Sequence, residues 1–179
     1  MSEAEAENLP QALQLAERGV KEPQHCDTRP ILALALARSG HTAQGEALAA
    51  SIDRTAPVST LVRNYLLPTI QAAIQIHSNN PSEAIKLLEP TRRYEFARPG
   101  SFEDLYPVYI RGLAYLQIGQ GPLAKIEFQK LLDHPGFTGH DVIGALSHLD
   151  LWKTADPEIP IYQRAKAEYA ALPRLQGTR

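Results

Sequence analysis

Three positions recur in this chain at a fixed spacing: a small residue, a turn-forming residue seven places on, and a second small residue five places after that. They read Ala33, Gly40 and Gly45, then Ala72, Asn79 and Ala84, then Gly112, Gly119 and Ala124, with 39 and 40 residues between successive turns. A period of that length is the mark of stacked copies of one supersecondary unit. Apolar residues around these positions fall at helical spacing, and no strict alternation persists long enough to build a sheet. Two antiparallel helices need small side chains where their backbones nearly touch, and larger ones in the gaps beside them. The expected fold is therefore all-α, about three helical hairpins in one domain spanning 1–179, with units near 26–58, 65–98 and 105–138.

The rest of the chain fits around that frame. Leu9, Leu13 and Ala16 make a stripe on a first helix that Gly19 ends, and the polar stretch 21–27 is a connection. Residues 31–38 are apolar almost all round, as in a helix packed on several sides. Gly40 stops that helix, and 42–52 makes the next. A further helix runs through Tyr65, Leu66, Ile70, Ala73 and Ile76, with Pro68 either in an early turn or at a kink. Asn79 tolerates the left-handed conformation, Ser82 is placed to cap the following helix, and Pro90 should interrupt it. Residues 97–103 read as a loop. A last amphipathic helix, 159–172, is entered through Pro160 and carries Ile161, Ala165 and Tyr169 at four-residue spacing, which suits it to close the end of a repeat array.

Composition and charge narrow the function classes. A hydrophobic fraction of 44% supports a core, and a net charge of −2 offers no basic field to nucleic acid or to an anionic membrane. No apolar run approaches a membrane span, and the acidic first ten residues lack the regions of a signal peptide, so a soluble chain without an address is expected. Cys26 is the single cysteine, which excludes an intramolecular disulfide and a cysteine-rich zinc site. His25, Cys26 and Asp27 are chain neighbours that do not point at one another, so they read as a polar loop rather than a nucleophile with its base. Asp133, His134, His140, Asp141 and His148 lack the three- or four-residue spacing of helical zinc motifs, and Asp141 reads as a helix cap. Thr91, Arg92, Arg93, Tyr94, Phe96 and Arg98 form a basic–aromatic cluster too small for nucleic acid, read as a solvated loop with its rings tucked inward. No catalytic residue, cofactor or metal is expected.

The most complete unit, 105–136, adds Tyr115 and Phe128 to Gly112, Gly119 and Ala124. Its sequence of small residue, aromatic, turn glycine, small residue, aromatic resembles one tetratricopeptide (TPR) repeat, whose usual period is about 34 residues. The resemblance implies a right-handed α-α superhelix. More specifically, 64–90, 105–136 and 151–172 look like the C-terminal TPR region of bacterial serine/threonine protein kinases and related winged-helix regulators, a resemblance covering about 29–172. It implies a sensory or protein-interaction module beside an effector domain in a larger bacterial signalling protein, cytoplasmic or on the outer side of a membrane-anchored parent. The chain has no glycine-rich phosphate loop, HRD-type loop or DFG, so kinase activity does not carry over. The family also places a hairpin where Leu149 here runs directly into Leu151 and Trp152, so one fused helix is expected over about 141–154.

In that family the first helix of each pair lines a groove that holds an extended peptide or a partner helix. Its offsets fall here on Tyr106, Tyr109, Leu113 and Gln117, on Thr69, Ala73 and His77, and on Leu34 and Arg38. The lysine and asparagine carboxylate clamp of the chaperone-binding subfamily is missing. Tyr109 and Leu113 suit a buried core as well as a groove, whereas Arg38, His77 and Gln117 lean toward the groove. The implied function is a non-catalytic protein- or peptide-binding scaffold. The alternative is a homo-oligomerisation module, with the groove filled by its own C-terminal helix or by another copy, and with Trp152 and Tyr162 as dimer anchors.

Overall fold

The backbone enters the left-handed region at each repeated turn position: φ is +83° at Gly40, +59° at Asn79 and +74° at Gly119. One hydrogen-bond pattern accompanies all three. The N–H of His41 donates to Leu36 and that of Gly40 to Ala37; Asn80 donates to Gln75 and Asn79 to Ile76; Gln120 donates to Tyr115 and Gly119 to Leu116. This Schellman pairing satisfies carbonyls that a helix end leaves open, and it needs a residue that accepts positive φ. Glycine and asparagine are the two residue types that do so at least cost.

The computed structural model describes residues 28–97, 105–138 and 142–153, together with Gln14. In order the helices are α1 (Arg29–Arg38), α2 (Thr42–Thr55), α3 (Leu67–His77), α4 (Pro81–Leu87), α5 (Tyr106–Gln117), α6 (Gly121–Asp133), the short α7 (Pro135–Thr138) and α8 (Val142–Lys153). A π-helical turn, Val62–Leu66, leads into α3, and a 3-10 turn, Glu89–Tyr94, follows α4. Among the described residues there is no strand. The expected helices at 9–16 and 159–172, the connection holding His25, Cys26 and Asp27, Arg98, His140 and Asp141, and the side chain of Trp152 lie outside what is described.

The pairs α1/α2, α3/α4 and α5/α6 pack as hairpins. Each pair packs on the next, since α3 touches α1 and α2, α5 touches α3 and α4, and α8 lies on α6. One core runs through the stack, with Leu34, Ile70, Ile74, Leu88, Ile110, Phe128, Leu131 and Ile143 all buried. The small residues sit where helices meet. A Cβ on Gly45 would stand 3.3 Å from the Ala33 carbonyl oxygen and the Ala37 nitrogen, and one on Gly112 would meet the Phe128 ring at 2.5 Å.

Pro68 lies in the first turn of α3, one of the two places expected for it, although a π turn precedes it without a break; two other local expectations, the cap of α4 and the loop after it, are corrected. Proline has no N–H to return to the preceding turn, and the wider turn absorbs the misfit. The cap of α4 is Asn80, not Ser82: Pro81 brings a preset φ to the first helical position and starts the helix two residues early. Residues 89–94 form a 3-10 turn rather than a loop, with the Thr91 hydroxyl donating to the Leu88 carbonyl at 2.7 Å.

Candidate functional site

The first helices of the three pairs end in one repeated position, two residues before each turn, and it holds Arg38, His77 and Gln117. His77 and Gln117 are exposed and Arg38 is half-buried. The Gln117 amide donates to the Ile76 carbonyl at 3.5 Å, linking one pair to the next. The His77 ring lies within 2.7 Å of where a Cβ on Gly40 would stand. The Arg38 guanidinium lies 5.8 Å from the centroid of the Tyr109 ring, a cation–π contact that reaches from α1 to α5.

The other expected groove residues are enclosed. Thr69 is 2% exposed, Tyr106 0% and Tyr109 3%, while Leu113 is partly buried. The Thr69 hydroxyl donates to the Tyr65 carbonyl at 2.5 Å, one turn back. The Tyr109 hydroxyl donates to Asp150 of α8 at 3.1 Å, and Asp150 is itself 2% exposed. Tyr109 also packs against Phe128, with ring centroids 5.9 Å apart. The structure thus splits the expected row in two: Thr69, Tyr106 and Tyr109 belong to the core, and Arg38, His77 and Gln117 remain at its edge. The offsets give a residue's direction from its own helix, and they do not carry what a later element such as α8 lays across it.

A polar cluster that the repeat pattern did not reveal lies between α5, α6 and the 3-10 turn. Arg111 is fully buried, and its Nη2 donates to Glu95 Oε1 and, at 2.8 Å, to Glu127 Oε2. Lys130 Nζ lies 3.0 Å from Glu127 and 3.7 Å from Glu95, and Arg92 bridges Glu127 at 3.3 Å and Glu89 at 2.9 Å. Burial opposes the charge on Glu127, but the hydrogen bond and charge of Arg111, then those of Lys130, outweigh it and hold the carboxyl below its usual range. Burial likewise opposes the charge on Arg111, and Glu127 with Glu95 outweighs it, so the guanidinium is held above its usual value. Every charge has an opposite within reach, and the cluster ties Glu95 of the inter-pair segment to the third hairpin. Its one local signal is a lone arginine in an apolar helix, because its partners lie 16 residues away on either side. Arg92 is thus committed to carboxylates, and Phe96 packs at a tilt against His134 and edge to face against Phe137, with centroids 4.5 Å and 5.3 Å away.

The open concavity lies elsewhere. Between α2, α3 and α4 runs a trough of about 530 Å³, lined by Glu46, Ala49, Ala50 and Asp53 of α2, Leu67, Gln71, Ile74 and Gln75 of α3, and Glu83 and Leu87 of α4. Its floor is apolar: Ala49, Leu67 and Ile74 are buried. Glu46, Asp53 and Gln71 stand exposed on its rim. Gln75 and Glu83 also border a second hollow of about 380 Å³ that continues the trough toward Asn79 and Asn80. Residues 67, 71 and 75 lie two positions from 69, 73 and 77, which at about 100° per residue is the opposite side of α3. The trough therefore lies across α3 from the expected groove.

Among the described residues no group of three histidine, cysteine, aspartate or glutamate side chains could hold a metal ion, and no helix is long and apolar enough to cross a membrane. Compared with protein-family models, with curated proteins and with solved structures, the chain has no match.

Proposed function

We propose that this chain is a non-catalytic scaffold that binds a protein segment, built as a TPR-like, right-handed superhelix of three hairpins. The observation that supports it most is the repeated architecture: three helix pairs, each closed by the same left-handed turn and each packed on the next. Repeat stacks of this kind present long helical surfaces, and their side chains supply contacts rather than chemistry. The resemblance to the TPR regions of bacterial kinases and regulators adds the expectation of a sensing or docking role in a signalling protein. A pull-down with the folded chain as bait, followed by titration of the recovered protein against the purified chain, tests the reading. A saturable one-to-one complex supports it. Absence of any saturable complex, with the chain monomeric, would end it.

A second reading, self-assembly, has one observation in its favour. The face expected to receive a partner is already covered at Tyr109, through its bond to Asp150. In this reading the first-helix face is closed within the chain, and association uses what remains at its edge. Light scattering separates the two: a dimer that dissociates on dilution favours assembly, and a monomer at all concentrations favours the scaffold.

A further inference from the structure

We propose that the trough between α2, α3 and α4 docks a basic amphipathic helix from a partner protein, with its apolar stripe over Ala50 and Leu87, above the buried floor of Ala49, Leu67 and Ile74, and its lysines or arginines on Glu46 and Asp53. The inference rests on the scaffold reading above and names the surface and the chemistry of its partner.

The trough has an internal cause. Nine places after the turn residue, the third hairpin carries Phe128 and the second carries Leu88, both 0% exposed. The first hairpin carries Ala49 at that position, followed by Ala50. Alanine at this position gives α2 less side-chain volume than α4 or α6 carries there, and Ala49 and Ala50 both line the trough. Its lining repeats at helical spacing on both sides, residues 46, 49, 50 and 53 on α2 and 67, 71, 74 and 75 on α3. The rim carboxylates Glu46 and Asp53 are seven residues apart, about 10 Å along the helix axis, or two turns of a docked helix.

Charge selects the occupant. The lining holds Glu46, Asp53 and Glu83, and no lysine or arginine. Glu83 pairs with Lys86 at 3.1 Å, whereas Glu46 and Asp53 have no partner among the described residues. An apolar floor with exposed carboxylates on the rim favours an apolar stripe flanked by cations. The walls are helical and offer no open strand edge, so an extended segment would leave its own backbone groups without partners. A helix satisfies its backbone internally and needs side-chain contacts alone. The chain's own segment 1–27 fits poorly, with six acidic residues against Arg18 and Lys21.

The test uses the full chain and a labelled amphipathic peptide of about sixteen residues, with leucines at helical spacing and flanking lysines, beside the same peptide with glutamates in place of the lysines. Binding is followed by fluorescence anisotropy and by amide shifts in NMR spectra, with Glu46→Lys/Asp53→Lys as the key variant. Both substituted residues are exposed, and unchanged circular dichroism checks the fold. The expected result is saturable binding of the lysine peptide, with shifts at Ala49, Ala50, Gln71 and Gln75 and none from the glutamate peptide. The double variant should weaken it about tenfold, since each exposed pair contributes little and reversal adds repulsion. Binding of the lysine peptide with unchanged affinity in the double variant, or shifts confined to Arg38, His77 and Gln117, overturns the trough and leaves the scaffold standing. A concentration-dependent dimer abolished by the double variant makes a second copy the occupant and also overturns the proposal. Failure of both peptides at millimolar concentration overturns it as well, and the scaffold reading then rests on the pull-down titration alone.

Discussion

Arg111→Met replaces a buried cation by an apolar side chain of similar reach, and its cost can be worked from the contacts. The substitution removes the donors at Glu95 and Glu127, both 4% exposed at the side chain, and leaves two carboxylates in the core. Breaking a buried pair from one side typically costs about 3 to 5 kcal/mol. Lys130 and Arg92 still reach those carboxylates, at 3.0 to 3.7 Å, which sets the estimate at the low end, about 3 kcal/mol. For a chain of this size that corresponds to a midpoint lowered by about 6 to 12 °C in thermal unfolding followed by circular dichroism. The pH dependence is the sharper readout. Because Glu127 is held below its usual carboxyl range, its contribution to stability is complete above the unfolded value of about 4.3 and is lost as pH falls through the folded value. In the variant the opposite holds, since burial without Arg111 pushes that carboxyl upward and acid relieves the penalty. The gap between the two proteins should therefore narrow from pH 7 to pH 3. Adding Glu95→Leu and Glu127→Leu to Arg111→Met should restore most of the loss, because an apolar core of matched volume is often as stable as a buried ion cluster. A gap that is the same at both pH values would refute the electrostatic account and leave packing as the whole effect.

Two further substitutions test the helix contacts and the turns. Gly112→Ala puts a Cβ 2.5 Å from the Phe128 ring and should cost about 1 to 3 kcal/mol in denaturant unfolding, with Phe128→Leu added to it recovering part of the loss. Gly119→Ala meets no atom within 4 Å and should cost only the positive-φ penalty, about 1 to 2 kcal/mol. Gly40→Ala should cost more, because its Cβ also meets the His77 ring at 2.7 Å; His77→Ala in the Gly40→Ala background should return the cost to that of Gly119→Ala, and equal losses in both backgrounds would count against the contact.

Legibility in the sequence followed how local each determinant is. The turns were readable because a left-handed residue selects glycine or asparagine on its own, and Gly40, Asn79 and Gly119 are the residues with positive φ among those described. The all-helical class followed from periodicity for the same reason. The start of α4 was missed by two residues because proline at the first helical position outcompeted a serine cap. The π turn before Pro68 answers to a missing donor rather than to any preference of residues 62–66. The Arg111 cluster was out of reach, since a charge in an apolar helix shows that a partner is needed but not where it lies. The burial of Tyr106 and Tyr109 depends on what packs over them, and Asp150 lies 41 residues beyond Tyr109.

The same reasoning explains why the two sides of α3 differ in what they offer. On the side of Thr69, Ala73 and His77, cohesion along the stack is strong: Arg38 reaches Tyr109, Gln117 reaches Ile76, and α8 meets Tyr109 through Asp150. Those contacts consume the polar groups that a partner would otherwise use, and a ligand there must displace protein from protein. Across α3, Ala49 and Ala50 leave volume unfilled, and Glu46 and Asp53 leave charge without a partner among the described residues. Association at the trough, as proposed, meets the exposed carboxylates Glu46 and Asp53 and covers Ala50 and Leu87 without first breaking a contact of the fold. A helical stack whose first-helix face is closed by its own chain thus still leaves a surface across α3 on which the proposed partner would meet Glu46 and Asp53.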